Sequence, residues 1–170
     1  MKKVVLVVVL SWLIFLVSPA IAENEALFSP EEKIKEFFLK EMGSATSTLE
    51  LAIHEITSLD LAQALLKVKQ RGVKVRIITD SKQAKVKSSQ ITYLIRQGIV
   101  VKVIGGKEKG TMNHRFAILD GKRVVTGSFD WTETSAKWNY ENVLNLSDRE
   151  VVASYQKEFE RLWREKRVIK

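Results

Sequence analysis

Cysteine is absent from this sequence of 170 residues, and histidine and proline occur only twice each. Without cysteine there is no disulfide bond, no thiol nucleophile and no cysteine-ligated zinc or iron-sulfur site. Any mechanism that needs an imidazole must use His54 or His114, or a copy of them from a second subunit. Internal repeats and low-complexity segments are also missing, and the length suits a single domain.

Long apolar segments are missing too, apart from one near the N-terminus. The run from Val4 to Val17 follows two lysines and is shorter than the ~20 residues that span a bilayer. It leads to Ser18-Pro19-Ala20-Ile21-Ala22, which has the small residues of a signal peptidase site. We therefore predict a signal peptide at residues 1–22, a mature domain at residues 23–170, and a periplasmic or secreted protein. An uncleaved anchor is the alternative.

Acidic residues are fewer than basic ones, 20 against 28, which gives a net charge of +8. A basic balance favours polyanionic partners, either nucleic acid or an anionic membrane surface. A surface charge that only keeps the protein soluble is the alternative. With 45% hydrophobic and 28% charged residues, the chain has the composition of a globular protein and not of a disordered one.

Strands and helices alternate in the first two thirds of the chain. Apolar residues at every second position predict a strand at 48–56, and two further strands are predicted at 73–80 and 99–105. Helices are expected between them, one from Ser58 to Gly72 and one from Ser88 to Gln97. Their predicted buried residues are Leu61, Leu65, Val68, Ile91, Leu94 and Ile95. Crossovers of this length make the three strands parallel neighbours in one sheet.

The remaining elements complete one layered α/β domain. A strand from Met112 to Leu119 follows the loop 105–110, and Asp120-Gly121 predicts a hairpin turn. The returning strand covers 123–129, and another covers 141–146. The sequence also predicts two helices with capping boxes, which begin at Ser29-Pro30-Glu31-Glu32 and at Ser147-Asp148-Arg149-Glu150. Their core residues are Ile34, Phe37, Phe38 and Met42, and Val152, Tyr155, Phe159 and Leu162.

One stretch carries residues suited to phosphate chemistry: residues 112–142 read MNHRFAILDGKRVVTGSFDWTETSAKWNYEN. It resembles the motif of the phospholipase D superfamily, His-x-Lys-x4-Asp followed by Gly-Ser-x-Asn and later by Glu-Asn. The corresponding positions here are Asn113, Arg115, Asp120, Gly127, Ser128, Asp130, Glu141 and Asn142. Upstream, a helix closed by Arg71-Gly72 and a strand ending in Asp80 are similar to the small nucleases and cardiolipin hydrolases of that family. The resemblance covers roughly residues 30–165.

This resemblance implies an α/β fold with a phospholipase D-like mixed sheet, flanked by helices on both faces, and one motif per chain. Because the family's chemistry uses two motifs, it also implies a homodimer whose motifs face each other across the two-fold axis. The implied activity is metal-independent hydrolysis of a phosphodiester, with no cofactor. Given the basic balance, nucleic acid is the first-choice substrate and a phospholipid head group is the second.

Three motif positions depart from the family pattern. Asn113 stands where the family has the histidine that attacks phosphorus, and an amide neither attacks phosphorus nor titrates. Arg115 replaces lysine and keeps the charge that binds phosphate oxygens. Asp130 replaces asparagine and opposes phosphate binding unless a cation neutralises it. The predicted catalytic residues are Asn113, His114, Arg115, Asp120 and Glu141, the predicted substrate-binding residues are Arg115, Ser128 and Asp130, and no metal site is expected.

Either histidine could compensate for Asn113. In a regular strand Asn113 and Arg115 share one face and His114 points to the other, but a bulge at 110–113 would turn His114 inward. His54, near the carboxyl end of the first parallel strand, is the other candidate. A packed or exposed side chain is the simpler interpretation of either histidine.

Structural roles compete with functional ones at the remaining positions. Asp120 suits the hairpin turn, Ser128 could only satisfy backbone groups, and Glu141 could be a plain strand-end carboxylate. Trp131 and Trp138 could stack on bases or pack the core. The basic residues that could form a phosphate-attracting rim are Lys67, Lys69, Arg71, Lys74, Arg76, Lys82, Lys85 and Lys87. For the whole protein, the alternatives are a catalytically inactive phosphodiester-binding relative and a structural envelope protein.

Overall fold

The computed structural model of this protein describes residues 24–165, so the predicted signal peptide at residues 1–22 lies outside the described residues. Seven strands form a single sheet in the order β1-β7-β6-β5-β2-β3-β4. The strands are β1 (Glu25–Phe28), β2 (Thr48–Ile53), β3 (Lys74–Asp80), β4 (Val100–Ile104), β5 (Arg115–Leu119), β6 (Arg123–Gly127) and β7 (Asn142–Leu146). The helices are α1 (Ile34–Ser44), α2 (Leu59–Gln70), α3 (Ile91–Arg96), α4 (Glu133–Lys137) and α5 (Arg149–Arg164).

The sheet is mixed, as the resemblance implied. Strands β2, β3 and β4 are parallel, whereas every other pair of neighbours is antiparallel. Alternate residues of the strands face two separate cores, because side chains point to opposite faces of a pleated sheet. One core joins Leu51 and Ile77 to α1, α2 and α3, and the other joins Ala52 and Phe116 to α5. The prediction of a mixed sheet with helices on both faces is confirmed.

The first predicted helix begins later than expected, and an unpredicted strand precedes it. Helix α1 begins at Ile34, because the hydroxyl of Ser29 donates to the carbonyl oxygen of Asn139 at 2.9 Å and caps nothing. The Glu32 carboxylate accepts from the backbone N–H of Phe28 instead of closing a capping box. Strand β1 pairs with β7 at the end of the sheet. A four-residue edge strand shows too little alternation to be predicted from sequence.

Helix α5 carries Val152, Phe159 and Leu162 into the second core as predicted, but its cap is one residue later. The Asp148 carboxylate accepts from the N–H groups of Glu150 and Val151 at 3.0 and 2.9 Å. A carboxylate at this position also suits the positive end of the helix dipole, which explains why it replaces the predicted Ser147.

Helix α3 buries a narrower face than predicted. It has six residues, of which Ile91 and Leu94 are buried. Ile95 is 48% exposed, contrary to the prediction, because so short a helix presents only about one turn's face to the sheet.

The predicted strand from Met112 begins only at Arg115. The backbone N–H of Met112 donates to the Asp80 carboxylate at 2.9 Å, and its carbonyl oxygen lies 3.1 Å from Nδ1 of His54. These side chains bind the backbone groups that a ladder would otherwise pair. The hairpin turn is as predicted: Asp120 and Gly121 have φ angles of 54° and 63°, the left-handed conformation that a type I′ turn needs at both central positions.

No helix between residues 24 and 165 combines the length and the apolar character needed to cross a membrane.

Candidate functional site

Most of the predicted site residues meet on one side of the sheet, where strands begin or end. We call this row of strand ends the motif edge. There the carboxyl ends of β2, β3, β4 and β6 lie beside the amino ends of β5 and β7. Arg115 begins β5 opposite Ile53, and Ser128 directly follows β6, beside the start of β7. In sheets of this kind ligands bind beyond the carboxyl ends of the parallel strands.

Ser128, Glu141 and Asn142 form one hydrogen-bonded group. The Ser128 hydroxyl donates to the Glu141 carboxylate and accepts from the backbone N–H of Asn142 at 3.1 Å. Gly127 allows this approach, because a Cβ atom there would lie 1.9 Å from the carbonyl oxygen of Asn142. The Gly-Ser and Glu-Asn pairs of the motif are therefore one unit built across β6 and β7.

The backbone of Glu141 is also held by Ser29, a residue that the sequence analysis did not predict to be part of the site. The hydroxyl of Ser29 accepts from the backbone N–H of Glu141 at 3.1 Å, and the backbone N–H of Ser29 donates to the Glu141 carbonyl oxygen at 3.0 Å. Ser29 is 3% exposed. A serine far away in sequence gave no signal of this contact, which depends on the pairing of β1 with β7.

Two of the departures from the family pattern bind each other. Nη2 of Arg115 lies 2.7 Å from Oδ2 of Asp130, and Nη1 donates to the carbonyl oxygen of Asn113 at 3.3 Å. The second Asp130 oxygen accepts from the backbone N–H of Glu55 at 3.3 Å. Nε of Arg115 is buried and has no partner among the described residues. The cation expected to bind phosphate is thus balanced by an adjacent carboxylate, with one donor left over.

His114 lies on the opposite face of the sheet, as the alternation predicted for a regular strand. Its Nε2 is 3.2 Å from Oε1 of Glu158 on α5, and its ring centroid is 5.5 Å from that of Phe116. Hydrogen bonds from Arg161 and from His114 lower the pKa of Glu158. Although residues 111–114 lie outside the ladder, no bulge turns His114 toward Arg115 in this part of the chain.

The other candidate histidine and the candidate asparagine lie near each other. His54 follows β2 and contacts the carbonyl oxygen of Met112, while the exposed side chain of Asn113 comes directly after Met112. A cavity of about 330 Å³ opens between the 105–107 loop and the end of α5. Asn113 and His114 both line it, together with Arg161.

Asp120, predicted as catalytic from the motif, lies at the other end of β5. Five residues at ~3.3 Å per residue separate it from Arg115 by roughly 17 Å. Its carboxylate accepts from the backbone N–H groups of Thr46, Ser47 and Thr48 at 2.7 to 3.1 Å. Despite partial burial, these hydrogen bonds hold the pKa of Asp120 well below its usual value of 3.8. The structure does not bring Asp120 to the motif edge, and its contacts are those of a structural turn residue.

The expected basic rim is divided between two edges. Lys82, Lys85 and Lys87 follow β3 at the motif edge. The other residues lie at the opposite edge or beneath α5: Lys67, Lys69, Arg71 and Lys74 at the end of α2 and the start of β3, and Arg76 bound to Glu50 and Glu160. Helix α2 runs from the motif edge to the other edge, so basic residues close in sequence are separated in space.

The two tryptophans of the motif region differ. Trp131 is fully buried against Phe38, with ring centroids 5.5 Å apart, so it packs the core. Trp138 is 77% exposed, and so is Tyr140 at 89%, which sequence reasoning did not single out. Within residues 24–165 there is no group of three or more histidine, aspartate or glutamate side chains placed to hold a metal ion.

Comparison with known sequences relates this chain to one family. Residues 38–163 match the family described as "Cardiolipin synthase, PLD-like domain". The chain is 41% identical over 126 residues to the mitochondrial cardiolipin hydrolase of Chlamydomonas reinhardtii, an alignment that covers 74% of this chain and 56% of that protein. The protein of that name from Xenopus tropicalis is 42% identical over 121 residues, with 71% and 57% covered. The chain therefore spans little more than half the length of these relatives.

Comparison with solved structures relates the fold of this chain to the same family. NucT from Helicobacter pylori superposes with a TM-score of 0.75 and 28% identity, over 84% of this chain and 96% of that chain. Nuc from Salmonella typhimurium, a phospholipase D family member, superposes with a TM-score of 0.77 over 84% of this chain and 94% of its own. At 23% identity the second likeness concerns the fold alone.

Proposed function

Because the chain belongs to the phospholipase D superfamily, we propose that it binds a phosphodiester at the motif edge. We further propose that the chain with this altered motif does not hydrolyse the bound ester efficiently. The observation that carries this proposal is the pair Asn113 and His114. Asn113 occupies the position of the attacking histidine, and His114 contacts α5 on the other face. The Asn113 amide can donate a hydrogen bond to a phosphate oxygen but cannot attack phosphorus.

Binding would rest on Arg115, Ser128 and the Asn113 amide. Nε of Arg115 is unpaired but buried, and the Ser128 hydroxyl at the same edge of the sheet already donates to Glu141, so a phosphate oxygen would have to take that hydrogen bond from the Glu141 carboxylate. Asp130 competes with the phosphate for the guanidinium, so we expect modest affinity at this position alone. Nucleic acid is the first ligand that we propose, because the chain stays basic even without Lys2 and Lys3 of the predicted signal peptide (28 basic residues less these 2 leave 26, against 20 acidic residues), and a phospholipid head group is the second.

Metal-independent hydrolysis, which the resemblance implies, is the second candidate. Two observations favour it: the Ser128, Glu141 and Asn142 unit is complete, and residues 111–114 are not fixed by strand pairing. The relatives named as cardiolipin hydrolases are also similar along most of the described chain.

We also propose a homodimer and an exported protein. One chain has one motif, and two motif edges facing across a two-fold axis would give a ligand phosphate contacts from both copies. Export rests on the pattern of residues 1–22. The N-terminal residue of the protein recovered from periplasm or medium tests it: cleavage after Ala22 supports export, and an intact Met1 in a membrane fraction contradicts it.

Hydrolysis is tested with the full chain and bis-p-nitrophenyl phosphate, single-stranded DNA, RNA and cardiolipin vesicles, each with and without a chelator. We expect little turnover by the natural chain. The variant Asn113→His/Arg115→Lys/Asp130→Asn has the family's pattern, and we expect at least a 100-fold faster reaction that the chelator does not slow.

His114→Ala in the natural chain is the matched control. Turnover by the natural chain that disappears in His114→Ala would replace the binding proposal with hydrolysis by His114. If the natural chain and the restored variant show no turnover and no binding, both candidate functions are refuted and a structural protein is favoured.

A further inference from the structure

Two loops at the motif edge carry five lysines, which we call the lysine loops. They are the loop after β3, with Lys82, Lys85 and Lys87, and the loop after β4, with Lys107 and Lys109. Nζ of Lys82 lies 3.4 Å from the carbonyl oxygen of Lys109, so the two loops touch. All five lysines are exposed.

These lysines are not balanced by carboxylates. None of the five forms a salt bridge with a residue in the 24–165 range. Two carboxylates accompany them: Glu108 lies between Lys107 and Lys109, and Glu165 shares the cavity wall with Lys107. The Asp80 carboxylate below them is fully buried and bound to backbone N–H groups. The lysine loops therefore present a net positive surface beside the motif.

Exposed aromatic rings lie at the other end of the motif edge. Trp138 and Tyr140 flank Asn139, in a segment that we call the aromatic turn. Asn139 is held on both sides: Nδ2 donates to the Glu141 carboxylate at 2.8 Å, and its carbonyl oxygen accepts from Ser29 at 2.9 Å. The turn is thus fixed to the same carboxylate that binds Ser128, and its two rings remain open to solvent.

The sheet order puts these regions on one line. From the start of β7 to the end of β4 the motif edge passes β6, β5, β2 and β3, which at ~4.8 Å per strand is roughly 24 Å. The aromatic turn is at the β7 end, Arg115 is in the middle, and the lysine loops are at the other end. A compact head group would occupy one of these places only.

We infer that the lysine loops and the aromatic turn are two further ligand-binding regions, which hold a single strand of nucleic acid across the motif edge. Its phosphates would lie on the lysine loops, and unpaired bases would stack on Trp138 and Tyr140. Single strands supply both groups at every nucleotide, whereas the bases of a duplex are already stacked. This inference rests on the proposed function, since it places the central phosphate at Arg115.

The test measures the binding of the full chain to a dinucleotide and to an oligothymidylate of about 16 nucleotides. Fluorescence anisotropy reports both affinities across a series of salt concentrations. Lys85→Gln/Lys87→Gln/Lys107→Gln should weaken binding of the oligonucleotide at least tenfold. It should also reduce the slope of log K against log salt by about 2, or about 0.7 for each phosphate contact. Trp138→Ala/Tyr140→Ala should weaken binding about tenfold without changing the slope.

The matched control removes the same charge from the opposite edge: Lys67→Gln/Lys74→Gln/Lys122→Gln should leave the slope unchanged. Equal effects of the two triple variants would overturn the inference, and so would tighter binding to cardiolipin vesicles than to the oligonucleotide. Dinucleotide binding that depends on Arg115, together with oligonucleotide binding that ignores both regions, would overturn the inference and leave the proposed function standing. No binding of either ligand would overturn both.

Discussion

Arg115 and Asp130 depart from the family pattern together and lie 2.7 Å apart. The guanidinium contacts a carboxylate that would repel phosphate if it stood alone, and since arginine keeps the charge of the family's lysine, Asp130 is the change that lowers the net charge of the pair. We therefore expect the pair to reduce the phosphate affinity of the motif without abolishing it.

Asp130→Asn should raise the affinity for a dinucleotide about tenfold, or ~1.4 kcal/mol, because it removes the anion that competes for Arg115. Isothermal titration of the full chain measures this change. Glu31→Gln, which removes an exposed carboxylate from the turn after β1, is the control and should have no effect. Weaker binding by Asp130→Asn would mean that the carboxylate positions Arg115 for the ligand.

Asp120 binds three consecutive N–H groups at the start of β2, and we expect Asp120→Asn to reduce the free energy of unfolding by about 2 kcal/mol. Since folding lowers the pKa of Asp120, its contribution is present above the usual value of 3.8 and is lost as the pH falls below it. The variant should therefore show a flatter loss of stability toward acid in urea titrations. An unchanged dinucleotide affinity would confirm that the residue is structural, and a large loss would place it in the site.

At the scale of elements, Glu133 joins three helices. Its carboxylate on α4 accepts from Lys35 of α1 at 2.8 Å and from the hydroxyl of Ser58, the residue before α2, at 2.8 Å. Lys35 also donates to Asp60 of α2 at 2.7 Å. Hydrogen bonds from Lys35, Lys137 and Ser58 lower the pKa of Glu133 to about 2.

Glu133→Gln should lower the Tm of the protein at pH 7. The loss in the free energy of unfolding should be less than about 1 kcal/mol, because the carboxylate is half exposed and screened by solvent. The depressed pKa means that this contribution is present above the ordinary value of 4.5 and is lost as the pH falls toward 2. Natural chain and variant should therefore converge in Tm as the pH is lowered. Glu36→Gln, an exposed change on α1, is the control, and a difference in Tm that grows toward acid would contradict the assignment.

Element boundaries were predicted less well than elements, for reasons that concern side-chain contacts. Ser29 was a good helix cap by sequence, but its hydroxyl binds Asn139 and Glu141 across the sheet. Met112 alternated as a strand residue should, but its backbone is bound by Asp80 and His54. Tertiary contacts thus decided where α1 and β5 begin.

At the scale of the whole molecule, the proposed dimer has a direct test. Sedimentation velocity of the full chain at rising concentration should show a species of twice the monomer mass, because each chain supplies one motif. A monomer at every concentration would contradict the dimer and leave binding by single chains.

The sequence by itself determined the alternating strands and helices, the family and the departure at Asn113, and it left the face of His114 open between a regular strand and a bulge. These properties follow from residue chemistry and from the period of a local backbone, which consecutive residues fix. Only the tertiary structure turned His114 toward α5, paired Arg115 with Asp130, and divided the basic residues between two edges. Such contacts depend on which distant segments become neighbours in the sheet, and that is decided by the packing of the whole chain around its two cores.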